Sequence, residues 1–310
     1  MHMADTLISP IVGATLWAAS AAAVGRSSWQ VKRQLDSSRV PLMGVLGAFV
    51  FAAQMINFSI PGTGSSGHLG GGLLLAILLG PDAALLAVAS VLVVQALVFA
   101  DGGLLALGCN VFNIGVLPIF VAYPLVYRLL ARGGSFQRSL AVVLETVLSG
   151  RTELPFRAFL LAMQPIHLAI GLVEGFVTLA ILAFLRRARP EILEGEAAPG
   201  SSLRGAVLVG ALALLLGGWI AWYASGHPDG LEWATRKVSG HEQLTAPSSA
   251  VHEGLAKAQE GTALMPDYGW KGQRSKPSTS LAGITGGALT LLLLAGAGWF
   301  LVALRRSRRA

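Results

Sequence analysis

Long apolar runs alternate with short polar segments along the whole chain. A helix needs about 20 apolar residues to cross the hydrocarbon core of a bilayer, so each run predicts one membrane span. The pattern predicts a seven-helix unit, then two C-terminal transmembrane helices that flank a polar loop over 225–280. The predicted spans are 7–25, 40–58, 69–80, 83–100, 104–127, 139–149, 154–185, 205–224 and 281–304. We therefore expect an all-α polytopic membrane protein.

The positions of the basic residues predict how the chain is oriented in the membrane. The basic clusters lie at 26–39, 128–138 and 305–309. The positive-inside rule puts such segments in the cytoplasm. The amino end and the polar loop are therefore predicted outside a cell (inner) membrane, and the carboxyl end inside. The charged stretch 189–204 is predicted to be a cytoplasmic linker between one unit, 1–188, and a second, 205–310.

The composition fits a membrane protein and narrows its chemistry. Hydrophobic residues make up 54% of the chain, charged residues 13%, and the mean hydropathy is +0.64. A net charge of +7 can indicate a nucleic-acid-binding protein. Here the basic residues lie between the predicted spans, where they set the membrane orientation, so we exclude a nucleic-acid partner. The single cysteine, Cys109, excludes a disulfide framework and a cysteine-rich metal site, and its apolar surroundings predict an inert thiol. No GxxxxGK[ST], HExxH or GxSxG motif occurs, which excludes the usual ATPase and the common hydrolases.

The first three residues, Met1-His2-Met3, precede an apolar run without a charged leader. The α-amine of Met1, the amide nitrogen of His2 and its ring Nδ1 can bind one metal ion in two fused chelate rings. Square-planar nitrogen coordination of this kind suits Ni(II) or Cu(II). No signal peptide is visible, and the large side chain of His2 prevents removal of the initiator methionine. We therefore expect Met1 to be the native amino end. Met3 is expected to be the hinge that leads into the helical bundle. The alternative is a chance pair or an expression scar.

A glycine-rich loop, residues 59–72, places His68 on the same outer side as Met1. Glycine permits backbone that is neither helix nor strand, and such backbone persists near membrane depth only inside protein or beside a cavity. We predict a loop that dips into the bundle, followed by a short helix over 69–80. His68 then supplies the fourth nitrogen of the square. The alternative is a loop histidine that is bonded to backbone.

Several polar side chains occur in or beside the predicted spans, where they face protein or water and not lipid. A metal-bound imidazole usually has its second nitrogen held by an acceptor, so these side chains are candidates to support the site. The candidates are Gln54, Asn57, Asn110, Asn113, His167 and Glu174. For His167 we favour pairing with Glu174 or with the amino-terminal segment over direct metal binding. The outer His227, His241 and His252 are scattered, and we predict no metal site there.

Ala14, Ala18 and Ala22 recur every four positions in the first span. Small residues at this spacing let another helix approach closely. The stripe predicts either the docking of a partner helix or ordinary packing within the chain, and both remain open at this point.

Four stretches together resemble one transporter family. They are MHMADTLISPIVG at the amino end, FVFAAQMINFSIPGTGSSGHLGGG at 49–72, LVFADGGLLALGCNVFNIGV at 97–116 and HLAIGLVEG at 167–175. Over residues 1–190 the chain is similar to the nickel/cobalt substrate-binding subunit, the CbiM/NikM type, of energy-coupling-factor (ECF) transporters. The motif PDGLE at 228–232 resembles the small partner subunit, the NikN/CbiN kind, fused in frame.

The resemblance implies a ligand set, a function and partners. Met1 and His2 would bind the metal through amine, amide and ring nitrogens, together with His68. The implied function is the capture of Ni(II), with Co(II) as the alternative, and its translocation by an ATP-driven importer. The metal is then a transported ligand, and no cofactor is expected. A separate transmembrane coupling (T) subunit and cytoplasmic ATPase subunits are implied, and the alanine stripe becomes a candidate docking face for the T subunit.

Two other functions would use the same polar residues. An intramembrane metalloenzyme would use His167, Glu174 and a metal, but nothing in the sequence points to a substrate groove or a water path. Turnover of a substrate by the isolated protein would favour it. A proton-driven secondary transporter would take up metal without an ATPase partner, and the lack of an internal inverted repeat disfavours it. We therefore predict a transport protein and not an enzyme.

Overall fold

The computed structural model describes residues 2–34, 39–125, 145, 154–189, 201–242, 244–245, 249–270 and 273–306. Helices dominate these residues, and five of the described helices are long and apolar enough to cross a membrane. A shorter apolar helix, Val40–Gln54, lies among them. The expected multi-pass, helical membrane architecture is therefore confirmed.

The elements follow one another in chain order. The α-helices are α1 Pro10–Gln34, α2 Val40–Gln54, α3 Gly72–Leu79, α4 Pro81–Phe99, α5 Leu107–Asn110, α6 Phe156–Ala188, α7 Ser201–Gly218, α8 Gly230–Ser239, α9 Ala250–Thr262 and α10 Lys276–Arg306. Helix α5 continues as a π-helix over Val111–Ala122. Short 3-10 turns are formed by Asp5–Leu7, Ile220–Tyr223 and Pro266–Tyr268. Two strands, β1 Phe58–Ile60 and β2 Ser65–Gly67, form an antiparallel hairpin.

Helix α4 lies at the centre of the first unit. Its side chains are apolar on almost every side, which is the pattern of a helix buried all round, and α1, α2, α3, the π-helical segment and α10 all pack against it. Pro81 occupies its first turn, where a proline costs no helical hydrogen bond. The helix ends at Ala100, whose φ of 53° is left-handed. The chain therefore turns sharply, and Asp101 follows at the end of the bundle where the amino-terminal segment lies.

Helix α1 is longer than the predicted span 7–25 and extends well into the polar segment that follows. Ser27 in this extension is buried, and its hydroxyl donates to Asp82 Oδ1 at 2.9 Å. The Arg26 guanidinium lies 3.0 Å from the same oxygen. Asp82 lies in the first turn of α4, so it can bind these two polar side chains near the end of α1. These contacts stabilise the helical conformation of that end.

The glycine-rich loop is more regular than expected. Strands β1 and β2 pair with Ile60 opposite Ser65, so the prediction of a loop with neither helix nor strand is wrong for residues 59–60 and 65–67. The tight connection requires Gly62 and Gly64, whose φ angles are 76° and 72°. The predicted short helix is present as α3.

Helices α7 and α10 of the second unit pack against α2 of the first. The two helices meet at Gly217 and Gly283, where a side chain on Gly283 would overlap the Gly217 carbonyl. Small residues allow this close approach. On α10, Gly286 contacts the ring of Phe51 from α2, and a side chain at this position would overlap that ring. The second unit is therefore joined to the first by helix packing as well as by its polar loop.

Two predicted segments lie partly outside the described residues. Of the predicted span 139–149, only Glu145 is described, and it is helical and buried. Of the predicted linker 189–204, the structure describes Arg189 and the start of α7. The polar loop 225–280 contains helices α8 and α9, which its composition did not predict.

Candidate metal site

The amino-terminal segment, residues 2–8, lies inside one end of the bundle. Met3 and Ile8 are 1% and 0% exposed. Met3 and Ile8 belong to the same apolar cluster as Phe159 of α6 and Leu231 of α8. Burial of one such side chain is worth about 1.5–3 kcal/mol. The segment is therefore an ordered part of the fold and not a free tail.

Asn110 holds the main chain that follows His2. Its Oδ1 accepts a hydrogen bond from the Met3 N–H at 2.7 Å, and its Nδ2 donates to the Met3 carbonyl at 3.2 Å. The Gly103 N–H donates to the same carbonyl at 3.0 Å. Both main-chain groups of Met3 are thus satisfied away from water. Asn110, a predicted candidate to support the site, thus contacts the main chain that follows His2.

Asp5 fastens the turn that comes next. Its Oδ1 accepts a hydrogen bond from the Ala106 N–H at 2.9 Å, directly before α5. Gly103 lies so close that a side chain there would overlap the Asp5 carboxylate. The two contacts fix the amino-terminal turn against the loop that connects α4 with α5.

The rings of His2 and His68 lie near each other, with centroids 5.3 Å apart and planes 11° from parallel. With metal–nitrogen bonds of about 2 Å, two imidazoles on adjacent corners of a square have centroids about 4 to 5 Å apart. The observed separation is slightly larger than this, so the rings must turn and approach each other before both can bind one ion. The predicted amine ligand, on Met1, lies outside the described residues. Within the described part of the chain, no group of three or more His, Cys, Asp or Glu side chains is placed to hold a metal. An ion between these rings would take its other donors from the main chain or from water.

The His2 ring is buried and is oriented by Asp101. Its Nδ1 lies 3.0 Å from Asp101 Oδ1, and the His2 side chain is 5% exposed. Its Nε2 is buried without a hydrogen-bond partner. Burial alone would raise the pKa of Asp101, but the His2 ring and the Tyr268 hydroxyl hold that pKa well below its usual range. Asp101 is therefore an ionised carboxylate that fixes the ring, and it was not among the predicted site residues.

His68 is oriented by the chain that follows it. Its Nδ1 lies 3.0 Å from the Leu69 carbonyl. A carbonyl only accepts, so Nδ1 carries the proton and Nε2 is the nitrogen that can bind a metal. The next two N–H groups, of Gly70 and Gly71, both donate to Glu174 Oε1 at 3.1 Å. The Glu174 carboxylate, a predicted supporting group, thus holds the loop that carries His68.

Two buried glutamines brace the same loop. Gln54 Nε2 donates to the Gly70 carbonyl at 2.9 Å, and Gln95 Nε2 donates to Gln54 Oε1 at 2.9 Å. Leaving one such buried polar group unsatisfied costs about 1–3 kcal/mol, so these bonds constrain the position of His68. Gln54 was predicted to support the site. Gln95 was not predicted. It is the one amide side chain in the apolar sequence of α4, and this difference from its neighbours is a signal that could have identified it.

Asn57 and Asn113 have other partners. The main-chain carbonyl of Asn57 accepts a hydrogen bond from the Ser225 N–H at 2.7 Å, which connects the first unit to the second. Asn113 Nδ2 donates to Glu145 Oε2 at 2.9 Å and lies 3.7 Å from the Met3 sulfur. Asn113 therefore lies beside the amino-terminal segment, whereas the described contact of Asn57 is with the second unit.

His167 lies on α6, facing the second unit. Its Nδ1 donates to the Met163 carbonyl, one turn earlier, at 2.7 Å. Gly230, the first residue of α8, lies so close to the ring that a side chain there would crowd it. Glu174, which we predicted as a partner of His167, directs Oε1 to the glycine-rich loop. The structure thus places His167 at the contact between the two units.

The alanine stripe faces away from the bundle. Ala14, Ala18 and Ala22 are all exposed, whereas Gly13 and Ser20 on the same helix are buried. Packing within the described part of the chain therefore does not account for the stripe.

Two family models match the chain. Residues 2–192 match the CbiM family, described as the cobalt uptake substrate-specific transmembrane region. Residues 204–303 match the PDGLE domain. The first match covers more than half of the chain, and the second begins at the end of the predicted linker.

Similar proteins include both fused and unfused chains. A putative fused nickel transport protein NikMN from Archaeoglobus fulgidus is 34% identical, over 94% of this chain and 96% of its own. The fused nickel transport protein NikMN of Rhodobacter capsulatus is 32% identical, over 86% of this chain and 88% of its own. The cobalt transport protein CbiM of Sorangium cellulosum is 31% identical, over 65% of this chain and 100% of its own. The fused relatives therefore extend over both units.

Proposed function

This chain belongs to the CbiM family, joined to a PDGLE domain, and we propose that it captures Ni(II) and moves it across the membrane as the substrate-specific component of an ATP-driven ECF importer. The fused relatives are named for nickel transport and the unfused one for cobalt transport. Co(II) is therefore the alternative cargo. None of these relatives is named as an enzyme, which agrees with the prediction of a transport protein and argues against a metalloenzyme.

The proximity of His2 and His68 is the observation that carries the proposal. We assign the four ligands to the amine of Met1, the amide nitrogen and Nδ1 of His2, and Nε2 of His68. In two fused chelate rings the amine and Nδ1 occupy opposite corners, so His68 takes the corner beside the His2 ring. The ring separation of 5.3 Å is slightly larger than adjacent corners require, so the two rings must approach each other when the metal binds. Four nitrogens in one plane favour Ni(II).

Metal binding requires the His2 ring to turn. In the structure Nδ1 faces Asp101, whereas the chelate needs Nδ1 on the metal. Rotation about the Cβ–Cγ bond releases Nδ1 and leaves Nε2 to donate to a carboxylate. A carboxylate on the second ring nitrogen fixes the tautomer and raises the basicity of a metal-bound histidine. We propose that Asp101, which lies beside the ring in the structure, accepts this hydrogen bond from Nε2 when the metal is bound.

We propose that the metal site faces the outside of the cell. Helices α1, α6 and α10 all run away from the amino-terminal segment, and basic residues lie in or beside their last turns. These residues are Lys32, Arg33, Arg186, Arg187 and Arg305. The positive-inside rule places those ends in the cytoplasm. We also propose that the units are 1–188 and 205–310, joined by a cytoplasmic linker over 189–204, which is supported by the limits of the two family matches.

Competition between metals on the purified chain, with an unblocked amino end, tests the capture of Ni(II). We expect Ni(II) to displace bound Co(II) in calorimetric titrations, because the planar nitrogen set favours Ni(II). Displacement in the opposite direction would assign the protein to Co(II). If the purified chain binds neither metal, the proposed function is wrong.

Substitution of Ala18 by leucine tests the proposed partner. We expect the larger side chain to block the T subunit from the stripe and to reduce Ni(II) uptake strongly in cells that contain the whole importer. Ni(II) affinity of the isolated chain should not change, because Ala18 is exposed and remote from His2. The matched control is Ala180→Leu, an exposed alanine on α6. Equal uptake by the two variants would show that the stripe is not the docking face, and uptake without any ATPase subunit would favour a secondary transporter.

A further inference from the structure

The second unit reaches the metal site through residues 249–268, which we call the outer strap and which comprise α9 and the 3-10 turn after it. Nε2 of His252 lies 3.2 Å and 3.1 Å from the carbonyls of Asp5 and Ile8. Its Nδ1 lies 2.7 Å from the Ser249 hydroxyl. His252 is 4% exposed, so these bonds are made away from water. The outer strap therefore holds the amino-terminal turn.

The outer strap also holds the end of α4 and the loop between α4 and α5. Gln259 Nε2 donates to the carbonyl of Ala96 at 2.9 Å and to that of Gly102 at 2.7 Å. The Met265 N–H donates to the Val98 carbonyl at 3.0 Å. Since His2 lies between this loop and the glycine-rich loop, the strap contacts the surroundings of His2 from two sides.

Tyr268 connects the outer strap directly to the carboxylate that binds His2. Its hydroxyl donates to Asp101 Oδ2 at 2.5 Å, while Asp101 Oδ1 lies 3.0 Å from His2 Nδ1. One carboxylate oxygen of Asp101 thus binds His2, and the other binds Tyr268. The Tyr268 ring is stacked on Phe99, with centroids 4.8 Å apart and planes at 15°, so apolar packing sets the position of the hydroxyl. Burial and the neighbouring carboxylate raise the pKa of Tyr268, and the hydroxyl remains a donor.

Left-handed backbone flanks this contact on both sides. Ala100, directly before Asp101, has a φ of 53°, and Asp267 and Tyr268 have φ angles of 51° and 59°. Such angles are strained in residues other than glycine, and they persist only where the surroundings hold them. Strain of this kind is concentrated at functional sites. Here two strained turns, one from each unit, bring the Tyr268 hydroxyl and the Asp101 carboxylate together.

We propose that Tyr268 is a positioning residue for the metal, acting through Asp101 on the orientation of the His2 ring. The second unit would thereby tune metal binding in the first, without contributing a ligand. The proposal rests on the proposed function, because it takes His2 as a metal ligand. Removal of an outer partner of a metal-bound histidine typically weakens metal binding about 10- to 100-fold. Tyr268 contacts Asp101 and not the histidine itself, so we expect a loss of affinity of about tenfold.

Five full-length proteins with unblocked amino ends test the proposal. They are the unsubstituted protein, Tyr268→Phe, Asp101→Asn, the double variant of these two, and Tyr223→Phe. Tyr223 is an exposed tyrosine of the same unit and is the matched control. The measurements are the affinity and dissociation rate of Ni(II) and the visible absorption band of bound Ni(II). Phenylalanine at 268 keeps the ring on Phe99 and removes only the hydroxyl, so the variant should fold, with a thermal unfolding midpoint lowered by the loss of one hydrogen bond to a buried carboxylate.

We expect Tyr268→Phe to bind Ni(II) about tenfold more weakly, through faster dissociation, and to shift the absorption band. The double variant should be no weaker than Asp101→Asn alone, because Tyr268 acts through Asp101. Tyr223→Phe should match the unsubstituted protein.

Three outcomes would overturn the proposal in distinguishable ways. If the unsubstituted protein binds no Ni(II), the proposed function fails and the role of Tyr268 fails with it. If it binds Ni(II) and Tyr268→Phe has the same affinity and band, only the role of Tyr268 is wrong. If the effects of the two substitutions add in the double variant, Tyr268 acts independently of Asp101 and the connection is wrong.

Discussion

A retained formyl group on Met1 is expected to abolish Ni(II) binding. The formyl group converts the α-amine of Met1 into an amide and removes a ligand from the proposed square, without supplying a new amine. It also enlarges a segment that is packed inside the bundle, where the His2 side chain is 5% exposed and Met3 is 1% exposed. Calorimetry on the formylated and unformylated proteins measures the loss as the disappearance of the binding heat.

The control is the same protein after enzymatic removal of the formyl group, which should restore the Ni(II) affinity. Mass spectrometry of both proteins confirms their amino ends. Unchanged affinity in the formylated protein would remove the amine from the ligand set.

The proposed chelate depends on main chain that is not helical. Residues 2–4 precede the 3-10 turn and have no regular structure, so the amide of His2 is not committed to a helical hydrogen bond. The two hydrogen bonds of Asn110 with Met3 replace helical bonds and fix the direction of the chain. The site therefore combines an irregular segment with a rigid surround.

The membrane helices could be predicted because the length of an apolar run is a local property. The predicted span 83–100 differs from α4, Pro81–Phe99, by only a few residues at either end. The hairpin could not be predicted in this way, because its strands are short and β2 consists of serine and glycine. Strand β2 is also held by the second unit, since the Ser66 N–H donates to the Pro228 carbonyl at 2.8 Å. That contact joins residues far apart in sequence.

Polar residues of the site were predictable where they interrupt apolar sequence, but their partners were not. Gln54, Asn110 and Glu174 stand out in this way, and all three bind main-chain groups of irregular segments. Buried main-chain N–H and carbonyl groups outside helices and strands need partners, and this need decides where such side chains point. Asp101 and Tyr268 were missed because they lie in loops, where polar residues are common.

Replacement of His68 by alanine is expected to weaken Ni(II) binding more than the loss of an outer partner does, by over about 100-fold. Three nitrogens would remain, and water would take the fourth corner of the square. Water is a weaker ligand than imidazole for Ni(II), so the visible absorption band of the bound metal should move to longer wavelength. Titrations followed by calorimetry and by visible absorption measure both effects on the same samples.

The matched control for this prediction is His241→Ala, because His241 is exposed and lies in the polar loop of the second unit. It should bind Ni(II) as tightly as the unsubstituted protein, with the same band. Free imidazole should restore the original band of the His68→Ala protein, since it can enter the vacated corner and supply a nitrogen. An unchanged band in His68→Ala would exclude His68 from the ligand set. Glu174 and Gln54, which hold the loop after His68, would then stabilise the fold and not the metal.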